Sequence, residues 1–217
     1  MLGRIFEVLM KLYDRHILPN LVHFACSQKP VMRQRKKVVP LAYGRVLEVG
    51  LGTGLNLPFY DANRVNKVWG VDPSSEMIDR AKGKARSVNF EVELIVSSGE
   101  DIPLLSNSVD TILVTYTLCT IIDVGRAIKE MARVLNQAGR LIFCEHGASP
   151  DLIVRRFQNC INPVWKRVGG GCHLNREIPK LIEHGGFRIN ELQAMYIPGW
   201  RPASFNYWGT AELVTSK

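Results

Sequence analysis

No apolar run in the 217 residues approaches the roughly 18 that a membrane-crossing helix needs, so none is expected. The first residues lack a compact apolar core followed by a small-residue cleavage site, which argues against a signal peptide. No two of the five cysteines, Cys26, Cys119, Cys144, Cys160 and Cys172, have CxxC spacing, and their number is odd. That counts against a disulfide framework and a zinc site, and it fits a reducing, cytoplasmic setting. Internal repeats and low-complexity tracts are missing too. Acidic residues are scarce at one end: from Met1 to Arg45, Glu7 and Asp14 stand against nine cations, so this segment carries +7 of the net +8. The rest of the chain is nearly neutral. Hydrophobic residues make up 46% of the sequence, enough for one domain with a full core.

The basic segment reads as helical. Ile5, Phe6, Leu9, Leu12, Tyr13 and Ile17 recur at helical spacing over 2–25, Pro19 ends or kinks that helix, and a second piece covers 20–26. KPVMRQRKKVVP follows, bracketed by Pro30 and Pro40. It reads as an amphipathic helix packed on the body with its charges in water, or as a lid or membrane-surface element; the readings are compatible. After Gly44, short apolar runs alternate with helical stretches. Strands are expected at 45–49, 67–71, 90–96, 110–115 and 140–144, and helices at 57–62, 75–86, 124–135 and 174–184. A late pair, 187–195 and 207–214, reads as antiparallel. Strands alternating with helices imply a parallel sheet covered on both faces. Residues 1–44 are thus expected as a helical extension and 45–217 as the catalytic body.

The first strand runs into VLEVGLGTGLN, an acid followed by Gly50, Gly52 and Gly54. Glycine there lets the backbone turn sharply and lets a ligand approach without Cβ atoms in the way. In such sheets a ligand lies at the carboxyl ends of the strands. The dinucleotide pattern G-x-G-x-x-G is broken, because Leu55 stands where its third glycine belongs. Glu48, two residues ahead of the glycines, would repel a pyrophosphate but suits a ligand with an ammonium group, as in S-adenosylmethionine. Asp72, about 20 residues on, stands where an acid accepts from ribose hydroxyls. A polar loop, SSGEDIPLLSNS, then separates two strands and would lie beside an adenine.

EVGLGTG, GVDPSSEM, GEDIPLLSNSVD and MARVLNQAGRLIFCEH resemble successive motifs of the class I S-adenosylmethionine-dependent methyltransferases, over about residues 45–146. The subgroup with the ubiquinone/menaquinone-biosynthesis enzymes is the nearest in pattern. GGGCHLNREIPKLIEHGGF, with GLNLPFY, is similar to a narrower group associated with thiol methylation and to bacterial phospholipid N-methyltransferases. The resemblance implies a Rossmann-like α/β fold, with a mostly parallel seven-stranded sheet whose final strand is antiparallel. It implies S-adenosylmethionine as cofactor. Glu48 would face the methionine ammonium, through water or a backbone amide. Gly50, Gly52 and Gly54 would form the floor, with Asn56 and Leu57 near the methionine tail. Asp72 would bind ribose, Pro73 and Met77 flank the adenine, and Ser98, Gly99 and Glu100 line its edge. Ser98 departs from the aspartate found in many relatives, leaving Ser98 or Glu100 to accept from the adenine amino group. Thr115 would lie under the sulfonium.

The implied reaction is an in-line displacement that needs alignment and desolvation, and no metal. A thiol near pKa ~8.5 needs little help from a base, and an amine near ~10 more. His146, His173, Tyr116 and Tyr207 are the candidates. Cys119 and Cys144 read as small buried hydrophobes, Asn175 as the cap of the next helix, and Trp200, Tyr207 and Trp208 as acceptor-pocket or packing residues. The expected acceptor is a lipid or small molecule, with a phospholipid amine favoured by the basic helix as a peripheral membrane contact. A thiol or quinone-like acceptor is the alternative. Nucleic-acid binding is not expected, since no basic-aromatic pattern accompanies the charge. An NAD-linked oxidoreductase is disfavoured by Leu55 and Glu48.

Overall fold

A computed structural model describes residues 12–13 and 17–214; the part of the expected first helix that carries Ile5, Phe6 and Leu9 lies outside them. Seven strands form one sheet in the order β3-β2-β1-β4-β5-β7-β6. They are β1 Gly44–Val49, β2 Val65–Asp72, β3 Glu91–Val96, β4 Val109–Thr115, β5 Leu135–His146, β6 Phe187–Tyr196 and β7 Phe205–Leu213. β1 to β5 pair in parallel, and β7 runs antiparallel to both β5 and β6. Val46 to Val49 are all buried, Glu48 included, because helices cover both faces of the central strand. Strand order reverses between β1 and β4, which opens a crevice at their carboxyl ends.

Among the described residues the α-helices with full bounds are α1 Leu18–Cys26, α2 Lys29–Val38, α3 Ser75–Ala85, α4 Val124–Val134, α5 Leu152–Val168 and α6 Ile178–His184. Ser74 caps α3 by accepting from the Met77 N–H, and Asp123 caps α4 by accepting from Arg126. Pro19 sits in the first turn of α1, where its missing N–H costs nothing, so the second helical piece starts at it.

Two expectations fail locally, and one helix is unforeseen. The helix expected at 57–62 is a single 3-10 turn, Leu57–Phe59. The helix expected from Leu174 starts at Ile178, so Asn175 is not its cap; its amide donates to Asn159 Oδ1 at 2.8 Å. And α5 escapes the sequence pattern altogether. Its buried residues are polar, Gln158 and Asn162, while Ile153, Phe157 and Val164 face outward, and Pro163 lies inside it. Periodicity locates helices with apolar inner faces; this one is inverted. The inner face is polar because it serves the loops: Gln158 bridges the Ser149 N–H and the carbonyls of Gly147 and Pro202, and Asn162 Oδ1 accepts from the Leu174 N–H.

Candidate active site

The crevice over β1 and β4 holds a cavity of about 630 Å³. Gly50, Gly52, Asp72, Pro73, Met77, Ser98, Gly99, Glu100, Thr115 and Tyr116 line it. Gly50 has φ +73°, and a Cβ there would strike the Thr117 side chain, whereas a Cβ on Gly52 would meet nothing within 4 Å. The first glycine is demanded by packing and the second leaves open space. Asp72 is fixed from both sides: Oδ2 accepts from the Gly52 N–H and Oδ1 from the Ser74 N–H, each at 2.9 Å. Burial raises its pKa, and those two donors offset part of the rise. Glu100 Oε1 accepts from the Asp123 N–H.

Glu48, Gly54, Asn56 and Leu57 stand behind this wall. Glu48 is buried, its two oxygens taken by Asn56 Nδ2 at 3.0 Å and the Tyr60 hydroxyl at 2.7 Å. Burial pushes its carboxyl up to about 7 against the pull of those bonds. Above it lies a residue absent from the expected set. Arg35 of α2 is 5% exposed, and Nη1 donates to Asn56 Oδ1 at 2.8 Å and Thr115 Oγ1 at 2.6 Å. The guanidinium also stacks on Tyr116, 5.2 Å from the ring centroid. Its Nε is buried without a protein partner. So one cation of the basic segment is not in water but at the cavity wall. The signal for it in the sequence is the spacing Val31, Arg35, Val38, one face of α2. α1 closes the same cavity with Leu18, Val22 and His23, and His23 Nδ1 lies 2.8 Å from Thr53 Oγ1.

A second cavity, about 560 Å³, adjoins the first and shares Leu18, Val22, Cys26, Tyr116, Thr120 and Gly169 with it. Its lining among the described residues contains no aspartate, glutamate, lysine or arginine. Leu21, Phe24, Val168 and Trp200 line it while staying about half exposed, so they form its rim. Tyr116 forms part of the dividing wall, in an αL backbone conformation (φ 54°). Its hydroxyl donates to Asn206 Oδ1 at 2.6 Å, and burial holds it well above the ordinary phenol range. Beside that wall Glu145 Oε1 accepts from the Thr117 and Leu118 N–H groups, and burial pushes its carboxyl up to about 7.

His146 lines the second cavity, with Nε2 3.2 Å from Cys172 Sγ and Nδ1 buried without a partner. Cys119 lines it as well, so three sulfur and nitrogen groups from distant segments meet. A hydrogen bond with Cys119 and the adjacent His146 hold the Cys172 thiol well below its usual range. His173 lines neither cavity; its backbone N–H ties the loop after α5 to the Cys119 carbonyl at 2.8 Å. The Tyr207 hydroxyl is occupied with the Ala148 carbonyl. The candidate bases therefore do not converge; His146 and Tyr116 reach the second cavity, and His173 and Tyr207 do not.

A parallel sheet reversing at β1/β4, with a bare glycine turn and an acid at the tip of β2, defines a Rossmann-like nucleotide-binding protein. The comparisons carry this further. Residues 47–143 match the methyltransferase domain family. The chain is 33% identical over 177 residues to thiol S-methyltransferase TMT1B of Rattus norvegicus, covering 79% of this chain and 69% of that one. It is 36% identical over 164 residues to a phosphatidylethanolamine N-methyltransferase of Cereibacter sphaeroides, covering 71% and 79%. A methyltransferase structure from Methanosarcina mazei superposes with TM-score 0.64 at 22% identity, over 79% of this chain and 93% of that one. The chain belongs to the S-adenosylmethionine-dependent methyltransferases.

Proposed function

We propose that this enzyme transfers the methyl group to the sulfur of a lipophilic thiol taken up from a membrane surface. The observation that carries the reading is the second cavity. It is apolar, shares a wall with the glycine cleft, and among the described residues offers no carboxylate to an ammonium headgroup. A phospholipid amine is cationic near neutrality, and burying a charge without a partner is costly. A neutral thiol enters without that cost. The relatives are named for both acceptors, so the lining is what separates them.

The first cavity suits the cofactor. Bound S-adenosylmethionine supplies a methyl group on a sulfonium and leaves as a neutral thioether. Asp72 keeps lone pairs for ribose hydroxyls after accepting from Gly52 and Ser74. Arg35 offers its unpartnered Nε to the methionine carboxylate. Glu48 acts from below through Asn56, giving the methionine end a balancing charge without touching it. Gly54 and Leu57 support the turn from behind. Pro73 and Met77 flank the adenine, and Ser98, Gly99 and Glu100 bound its edge. Thr115 and Tyr116 line the passage toward the acceptor. Alignment across that shared wall, with water excluded, is the main catalytic contribution and amounts to roughly 7–11 kcal/mol in favourable cases.

α1 and α2 border both cavities. Beside them α5 turns Ile153, Phe157 and Val164 outward, flanked by the exposed cations Arg156, Lys166 and Arg167. An apolar face ringed by cations suits an anionic lipid surface. Among the described residues no helix is long and apolar enough to cross a membrane, so the contact is peripheral.

The test uses methyl-tritiated S-adenosylmethionine with hexanethiol, hexylamine and phosphatidylethanolamine vesicles in parallel. Label is expected in the thioether. Label in the lipid extract or the methylated amine, and none in the thioether, would overturn the thiol reading.

A further inference from the structure

We propose that Cys119, His146 and Cys172 form a zinc site whose open fourth position faces the second cavity. The role at that position rests on the thiol reading above; the site itself does not. The three side chains come from the turn after β4, the end of β5 and the glycine-rich loop after α5. Their ligand atoms, two Sγ and one imidazole nitrogen, all lie within 4.8 Å of one another. Zinc holds sulfur at about 2.3 Å and nitrogen at about 2.0–2.1 Å, so tetrahedral ligands sit about 3.5 Å apart or slightly more. The 3.2 Å from His146 Nε2 to Cys172 Sγ is close to that spacing already.

The donor set is specific. Two thiolates and an imidazole favour zinc among common divalent ions, and three protein ligands with one place free is the arrangement of a catalytic zinc site. CxxC spacing is lacking because the ligands come from three separate segments, so its absence from the sequence does not bear on this cluster. The loops that carry the ligands are held before any ion arrives. The Cys119 carbonyl accepts from the His173 N–H, and Arg176 bonds the carbonyls of Leu118 and Ile121. Asn162 holds the Leu174 N–H from α5. Cys119 and His146 are buried and Cys172 is partly so, and all three line the apolar cavity. The cavity is therefore both the entry path and the place from which a fourth ligand would come.

At that position an acceptor thiol would bind as thiolate, releasing its proton to solvent. A sulfur lone pair of the acceptor then forms the new carbon–sulfur bond. The methyl–sulfonium bond breaks and its electron pair stays on the donor sulfur. The neutral thioether formed is a weak zinc ligand and leaves.

The protein is purified under reducing, metal-free buffers and titrated with zinc sulfate, and separately with cobalt chloride. About one zinc per chain is expected, together with thiolate-to-cobalt charge-transfer absorption. Hexanethiol should intensify that absorption, and hexanol should not. Cys119→Ser and Cys172→Ser should lower zinc content to near zero, with the exposed Cys160→Ser as control. Because the serine variants could misfold, the wild-type cobalt spectrum is read independently of them. No zinc uptake and no thiolate-to-cobalt absorption would overturn the zinc site, and hexanethiol methylation at full rate by metal-free protein would overturn its role in the reaction while leaving the thiol reading intact. A cobalt spectrum unmoved by hexanethiol would overturn the open position. A cobalt spectrum that responds, with no methyl transfer to any thiol, would support the site and sink the thiol reading instead.

Discussion

The two cavities share a wall and differ in almost everything else. The first is built on the carboxyl ends of β1, β2 and β4 and is lined by backbone, an aspartate, a glutamate and an arginine. The second is lined by side chains from α1, α5 and the loops around Cys172 and Trp200, with no acid, arginine or lysine among the described residues. On the thiol reading, a charged cofactor and an uncharged acceptor need opposite surroundings. That reading gives the donor to the sheet and the acceptor to the helices that cover it.

The comparison breaks most sharply at Asp72. Asp72→Ala removes the carboxylate that organises the glycine turn. Cofactor affinity is expected to fall by about 100-fold or more, from the loss of two charge-assisted bonds at about 1.5–3 kcal/mol each. Calorimetry with circular dichroism as a folding control decides it; a loss of less than about tenfold would take Asp72 out of the donor site.

The buried network under the cleft predicts a pH effect. Glu48 sits at about 7 against an ordinary 4.5. The folded protein keeps a proton that the unfolded chain has released, so stability falls as pH rises from about 4.5 to 7 and then levels off. Glu48→Gln mimics the protonated acid. Urea unfolding of the cofactor-free protein should find the variant equal to wild type near pH 5 and more stable at pH 8, on the order of 2 kcal/mol. Equal stabilities at both pH values would refute the raised carboxyl.

Arg35→Met separates the cavities, because Arg35 lines the first and not the second. Cofactor affinity is expected to drop about 10- to 30-fold, with the KM for hexanethiol unchanged. A shift in the thiol KM alone would reverse the assignment. The smallest effect is at the rim. Val164→Glu on the outer face of α5 should weaken binding to anionic vesicles by about tenfold or less, with turnover of dissolved hexanethiol preserved. Undiminished vesicle binding would free α5 of a membrane role.

The same division governs what the sequence reveals. The sheet and the glycine turn are legible because local rules write them: apolar runs for β1 and β4, glycines where a Cβ would clash, and an acid at a fixed distance on. Methyltransferase family and cofactor follow from those motifs. α5 is illegible because its buried face is polar, carrying Gln158 and Asn162. Arg35 hides in a run of cations that reads as solvated surface. Cys119, His146 and Cys172 are brought together by tertiary folding alone, and no spacing rule reaches across the 52 residues between the two cysteines.

α1 carries a consequence for timing. Leu18, Val22 and Cys26 of this one helix border both cavities. A displacement of α1 large enough to release a methylated product past its rim also uncovers the spent donor. Were α1 to lift in each cycle, arrival and departure at the two sites would be linked through one helix, and the rate of that lifting would set a ceiling on turnover however fast the chemistry beneath it runs.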